Sequence, residues 1–107
     1  MDEAEVARAL GALSQVHRLR AFRALVVAGE HGLTPGVLSE RLGISPASMS
    51  FHLKELLGAG LVAPARDGRH IVYRARFARM NGLLGFLTAH CCEGQPCALD
   101  TPACACP

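Results

Sequence analysis

Apolar residues return at helical spacing through most of the chain. Met49, Leu53 and Leu56 fall at i, i+4 and i+7, one stripe facing a core. Ser45 ahead of them is a good N-cap, and Pro46 suits the first helical position. Gly58 and Gly60 end this helix. Upstream, Asp2 and Glu5 have the spacing of an N-cap and its N3 partner, with Val6, Leu10 and Leu13 following on one face. Ser14 opens a second helix whose core face is Leu19, Phe22, Leu25 and Val26, and Gly29 suits its end. Thr34-Pro35 starts a third, with Val37, Leu38 and Leu42 inward, and Gly43-Ile44 turns into the fourth. Two short helices joined by a Gly-containing turn have the form of a helix–turn–helix.

After Gly60 the period changes. Leu61–Ala65 and His70–Arg74 read as extended runs around Arg66-Asp67-Gly68-Arg69, and Asp-Gly in that place is a strong hairpin signal. Pro64 marks an exposed edge strand. A last helix is predicted from Phe77 to about His90, carrying Phe77, Met80, Leu84 and Leu87 on one stripe that Leu83 and Phe86 widen. Glu93-Gly94-Gln95-Pro96 should stop it. The expected fold class is mainly α with a β-hairpin wing, a winged helix–turn–helix of order α-α-α-α-β-β-α. The last helix is more apolar than one small core needs, so it should form a homodimer interface together with the first helix.

Composition narrows the reading. A chain of 107 residues, half of them hydrophobic, supports one small core that a dimer would strengthen. No run approaches the ~18–20 apolar residues of a membrane span, and the acidic start Met1-Asp2-Glu3-Ala4-Glu5 is no signal peptide, which places the protein in the cytoplasm. A net charge of +2 says little about nucleic acid. Its distribution says more: Arg66, Arg69, Arg74, Arg76 and Arg79 follow the fourth helix, and the hairpin-tip arginines Arg66 and Arg69 could reach phosphate or a minor groove. Arg18, Arg20 and Arg23 are a solvated face or phosphate contacts. The outer face of the fourth helix carries Ala47, Ser50, Phe51 and Lys54, with Ser48 and His52 at its margins and Ser45 at its start. Small polar side chains let a helix backbone approach base edges, so these residues are the candidate DNA-binding face. His31, His52 and His70 have no partner at ligand spacing. With no C-x-x-C, no strand–Gly-rich loop–helix and no carboxylate pair on a scaffold, the chain is not read as an enzyme.

Several motifs stand in this order: Leu10-Gly11-Ala12-Leu13-Ser14, His17-Arg18-Leu19-Arg20, Ser50-Phe51-His52-Leu53-Lys54-Glu55-Leu56, Ala59-Gly60-Leu61-Val62, and Arg66-Asp67-Gly68-Arg69 leading to Tyr73. Together they resemble the ArsR/SmtB family of bacterial metal-responsive repressors, over nearly the whole chain up to about His90. Val16-His17 departs from the family, which usually carries Pro-Thr or a similar pair there. The resemblance implies a homodimeric winged helix–turn–helix repressor that leaves double-stranded operator DNA when an inducer binds. The family's arsenic site on the helix before the recognition helix is missing, since Val37-Leu38-Ser39-Glu40-Arg41 has no Cys. Its zinc site along the last helix is missing too, because that helix offers only His90. The chain instead resembles the subgroup with cysteines at and beyond the last helix, which is implied to sense arsenite or related trivalent arsenicals.

All five cysteines lie within Cys91–Cys106, spaced Cys91-Cys92-x4-Cys97-x6-Cys104-x-Cys106. An odd, clustered set in a cytosolic chain points away from a disulfide framework and toward metal binding. Adjacent cysteines at a fraying helix end can turn to one side, and the Gly94–Pro96 turn can fold Cys97 over them. Three converging thiolates suit trivalent arsenic or antimony, As(III) or Sb(III), better than tetrahedral zinc. Cys104 and Cys106 are lesser candidates that could complete a four-thiolate zinc site. Cadmium, copper(I) and thiol oxidation remain alternatives. The expected organisation is a DNA-binding and dimerisation domain over residues 1–90 and an inducer-binding tail over residues 91–107.

Overall fold

The computed structural model describes residues 1–94, and Cys97, Cys104 and Cys106 lie outside them. Five α-helices and a hairpin follow in the expected order: α1 (Glu3–Leu13), α2 (Val16–Ala28), α3 (Pro35–Leu42), α4 (Pro46–Gly58), β1 (Val62–Asp67), β2 (His70–Ala75) and α5 (Phe77–Thr88). Short 3-10 turns occupy Gly29–His31 and Cys91–Gly94.

The helix starts follow from local side-chain chemistry. Asp2 Oδ1 accepts the Glu5 N–H at 2.7 Å, Thr34 Oγ1 that of Val37 at 3.2 Å, and Ser45 Oγ that of Ser48 at 3.2 Å. Each satisfies one of the N–H groups a helix start leaves without a partner. At α2 the expectation needs correction. Ser14 closes α1, donating its hydroxyl to the Gly11 carbonyl, and Gln15 caps α2 by accepting the Arg18 N–H at 2.9 Å. Arg18 also donates from Nε to the Ala12 carbonyl at 2.7 Å, tying the two helices at their junction.

The core lies where α2 packs against α1, α3, α4 and β2. Leu25, Leu38, Met49, Leu53, Leu56, Leu61 and Val62 are its fully buried large side chains. Burying each is worth roughly 1.5–3 kcal/mol of hydrophobic free energy. Leu10 and Leu19, expected inside, are instead 42% and 44% exposed. On α1 the inward residues are Val6, Ala9 and Ala12, and on α2 they are Ala21, Phe22 and Leu25. Small alanines let these helices approach closely, and that rotates the larger leucines outward.

The hairpin is antiparallel, pairing Val62 with Ala75 through to Asp67 with His70. Its two-residue loop is therefore Gly68-Arg69, one position later than an Asp-Gly loop. Gly68 takes the positive φ of 63° that the first loop position needs. Pro64 pairs with Tyr73, and the other side of β2 forms a single bridge from Tyr73 to Leu33.

The end of α5 also differs from expectation. The helix stops at Thr88, His90 adopts a positive φ of 57°, and Cys91–Gly94 forms a separate 3-10 turn. The chain has thus left the helix before Glu93 and Gly94, and Cys91 does not sit on a fraying last turn.

Candidate nucleic-acid interface and cysteine turn

The α4 stripe divides this helix cleanly. Met49, Leu53 and Leu56 are at most 1% exposed, whereas Ala47, Ser48, Ser50, Phe51 and Lys54 face solvent. Ser45 is exposed as well. Its oxygen serves the cap, which leaves the hydroxyl proton for another acceptor. Phe51, 49% exposed, has no core role and can meet an apolar base edge such as a thymine methyl. This is the surface expected of a helix that enters a groove.

His52 differs from its neighbours. It is half-buried, and its ring lies 5.7 Å, centroid to centroid, from that of His17 on α2. Phe51 flanks it at 5.8 Å. Burial first, then the Arg18 guanidinium and the His17 ring, hold His52 below the ordinary imidazole value. The pairing was invisible in the sequence, because the two histidines are brought together only by the packing of α2 on α4.

Four of the five arginines after α4 separate into two groups. Arg66 and Arg69 are exposed on the hairpin, with Arg69 in its loop. Arg74 donates to the Glu30 carbonyl at 2.6 Å, and Arg79 pairs with Glu5 at 2.7 Å, so both have structural work. Arg79 also lies against Gly60. A Cβ on that residue, whose φ is 75°, would come 2.7 Å from Arg79 Nε. The start of α5 is joined to the segment between α4 and β1 a second way, by the Arg76 N–H donating to the Leu61 carbonyl at 2.8 Å. On the far side of α2, Arg20 and Arg23 join Arg41 around a shallow groove of about 450 Å³ floored by Leu19 and Leu42.

Of the candidate metal ligands, Cys91 is half-buried in the 3-10 turn and Cys92 follows it in the same turn. Cys97, Cys104 and Cys106 lie outside the described residues. Among the described residues no group of three or more His, Cys, Asp or Glu side chains is placed to hold a metal ion.

A helix–turn–helix with an exposed polar recognition face and a basic hairpin beside it defines a winged-helix DNA-binding protein. The helix-turn-helix domain family matches residues 13–65. The HTH-type transcriptional regulator CmtR of Mycobacterium bovis is 32% identical over 106 residues, covering 96% of this chain and 87% of that protein. An ArsR-like transcriptional regulator from Rhodococcus sp. RHA1 superposes with a TM-score of 0.75 at 32% identity, over 84% of this chain and 82% of its own. A solved structure described as a possible transcriptional regulator for arsenical resistance gives 0.59 at 28% identity, over 74% and 82%. The chain belongs to the ArsR/SmtB family of DNA-binding transcriptional regulators and is not an enzyme.

Proposed function

We propose that the chain is a homodimeric repressor released from its operator by trivalent arsenic or antimony held on Cys91, Cys92 and Cys97. The observation that carries the inducer assignment is the position of Cys91-Cys92. They share one tight turn, bracketed by the positive-φ residues His90 and Glu93, just behind the end of α5. Arsenite and antimonite are thiophilic and three-coordinate, so three thiolates match their valence. The similarity to a possible regulator of arsenical resistance supports the same reading. Cys104 and Cys106 are assigned a lesser role. The cytoplasm, which keeps thiols reduced, is the compartment this chemistry needs.

Support for the dimer comes from α5. Among its apolar residues Leu83 alone is buried, while Phe86 and Leu87 are 40% and 55% exposed. A second copy covering this face removes apolar area from water on both subunits. The DNA contacts are assigned to Ser45, Ala47, Ser48, Ser50, Phe51, His52 and Lys54 on α4 and to Arg66 and Arg69 on the wing. Two recognition helices must then meet major grooves about 34 Å apart.

Release needs a path from the cysteine turn to α4. The contacts of Arg76 with Leu61, and of Arg79 with Gly60 and Glu5, tie the start of α5 to the segment that leaves α4 and to α1. A metalloid that fixes the turn behind α5 would shift that helix and so the spacing of the recognition helices. Each tenfold preference of the inducer for the DNA-unbound dimer contributes about 1.4 kcal/mol to release, so two sites lower operator affinity about a hundredfold.

The test is fluorescence anisotropy on the upstream operator with and without arsenite. Cys91→Ser and Cys92→Ser should bind operator normally and stay bound when arsenite is added. Cys97→Ser should lose the arsenite response yet keep one to methylarsenite, which offers two bonds to sulfur. Cys104→Ser and Cys106→Ser should behave nearly as wild type. A Cys91→Ser/Cys92→Ser double variant that still leaves DNA with arsenite overturns the site. Release of wild type by cadmium, but not by arsenite, reassigns the inducer.

A further inference from the structure

We propose that the groove between α2 and α3 is a docking site for an acidic amphipathic helix of a partner protein, open while the recognition helix holds DNA. The exposed side chains of α2 are Val16, Leu19, Arg20, Arg23 and Val27. At 3.6 residues per turn they share one face, an arc of roughly 100°, and run about 16 Å along the helix. Three of them are apolar, and Val27 is 78% exposed. A solvated face commonly intersperses charges of both signs, yet α2 has no acidic residue. Across the groove α3 contributes Arg41 and Leu42. The floor is therefore apolar and the rim carries three guanidiniums. Among the described residues none of the three holds a hydrogen bond or an ion pair.

The occupant must match both features. Leu19, Val27 and Leu42 call for an apolar side chain, whose burial removes area from water on both partners. Arg20, Arg23 and Arg41 call for carboxylates, which a guanidinium can bind through two parallel hydrogen bonds. A DNA backbone would use the arginines and leave the apolar floor wet. A small ligand is normally enclosed on most of its surface, and this groove is shallow. A helix with a leucine stripe flanked by Glu satisfies floor and rim together. None of the residues assigned to DNA lines the groove, which is why a dimer on its operator keeps it open. The site is also separate from the cysteine turn, and it gives the DNA-bound repressor a second partner.

The probe is a fluorescein-labelled synthetic helix with Leu on one stripe and Glu on either side of it. Its control carries Lys in place of Glu. Both are titrated with the full reduced chain, free and operator-bound, and followed by anisotropy. The Glu helix should bind in both states, and the Lys helix roughly tenfold more weakly or not at all. Arg23→Ala with Arg41→Ala should weaken the Glu helix about tenfold, and Val27→Ser several-fold. These side chains are exposed, so circular dichroism should be unchanged. Operator affinity, its salt slope and the dimer should be unchanged too. Arg69→Ala on the wing should leave the Glu helix bound. Absence of binding, equal binding in the arginine variant, or displacement of the helix by operator overturns the proposal. A lower salt slope in that variant assigns the groove to DNA phosphate, and a monomer assigns it to a second copy. Tighter binding to phosphatidylglycerol vesicles than to the Glu helix assigns it to a membrane surface. Each of these outcomes also overturns it. The arsenite reading is tested through the cysteines alone, so its failure is distinguishable from this one.

Discussion

The fourth and fifth helices are written with the same code and used in opposite ways. Both carry an apolar stripe at helical spacing. On α4 the stripe of Met49, Leu53 and Leu56 disappears into the chain's own core, and what remains outside mixes Ser48, Ser50 and Lys54 with Phe51 and Leu57, 49% and 41% exposed. On α5 Leu83 reaches the core, while Phe86 and Leu87 stay in water. The α4 helix is therefore positioned by its own fold and offers a mixed face in which polar and charged side chains accompany Phe51. The α5 helix is completed only by another apolar surface. An amphipathic pattern alone does not say which of these two situations holds. The outer face does: Ser48, Ser50 and Lys54 against Phe86 and Leu87.

The comparison can be broken most forcefully at Leu53. Leu53→Ala should cost about 2–5 kcal/mol of folding free energy, read by urea unfolding, because Leu53 is 1% exposed on a helix packed against α1, α2, α3 and β1, which cannot all collapse into the gap. Leu87→Ala measured on the monomer should cost well under half of that. Equal losses at the two positions would erase the distinction between the helices.

Phe86→Glu with Leu87→Glu is the complementary change. Sedimentation should show a monomer at micromolar concentration, while circular dichroism keeps the helical signal. A dimer that survives both glutamates would place the interface elsewhere.

A smaller effect is expected at the start of α4. Ser45→Ala removes the acceptor for the Ser48 N–H and should destabilise the protein by about 1 kcal/mol, measured by thermal unfolding. On the same helix, Lys54→Ala should lower the salt slope of operator binding by about 1, as should Arg69→Ala on the wing. Ser50→Ala should instead alter which operator is preferred. Unchanged salt slopes would mean that the recognition surface lies on another face.

The least effect belongs to His52. A histidine held below its ordinary value binds protons more readily once unfolded, so the unfolded state gains as pH falls. Stability in EDTA should be fullest above the ordinary imidazole value of 6.5, decline as pH drops through it, and level off below the folded-state value. His52→Gln should flatten this decline, as followed by urea midpoints between neutral and acid pH.

Much of the architecture was legible because its determinants are local. Three of the helix starts are set by a cap three residues from the N–H it serves, at Asp2, Thr34 and Ser45. The change from helical to extended pattern after Gly60, and the turn residues ahead of His70, are equally short-range. Ser14 misled because a serine can end a helix through its hydroxyl as readily as begin one. The fate of Leu10 and Leu19 could not be read at all. Their spacing fits a core stripe, but helix rotation was decided by Ala9, Ala12 and Ala21, which pack closely against neighbours.

The sequence by itself determined the order of elements, the caps, the buried stripe of α4 and the residues on its outer face. It also determined the cysteine spacing, since these are properties of neighbours along the chain. The tertiary structure alone decided how much of the α5 apolar face the chain buries, Leu83 at 5% exposed against Leu87 at 55%. It decided which arginines are committed to other parts of the fold, Arg74 to Glu30 and Arg79 to Glu5 and Gly60. It also brought His17 to His52. Each of these depends on contacts between segments far apart in sequence, and such contacts exist only once the helices have packed.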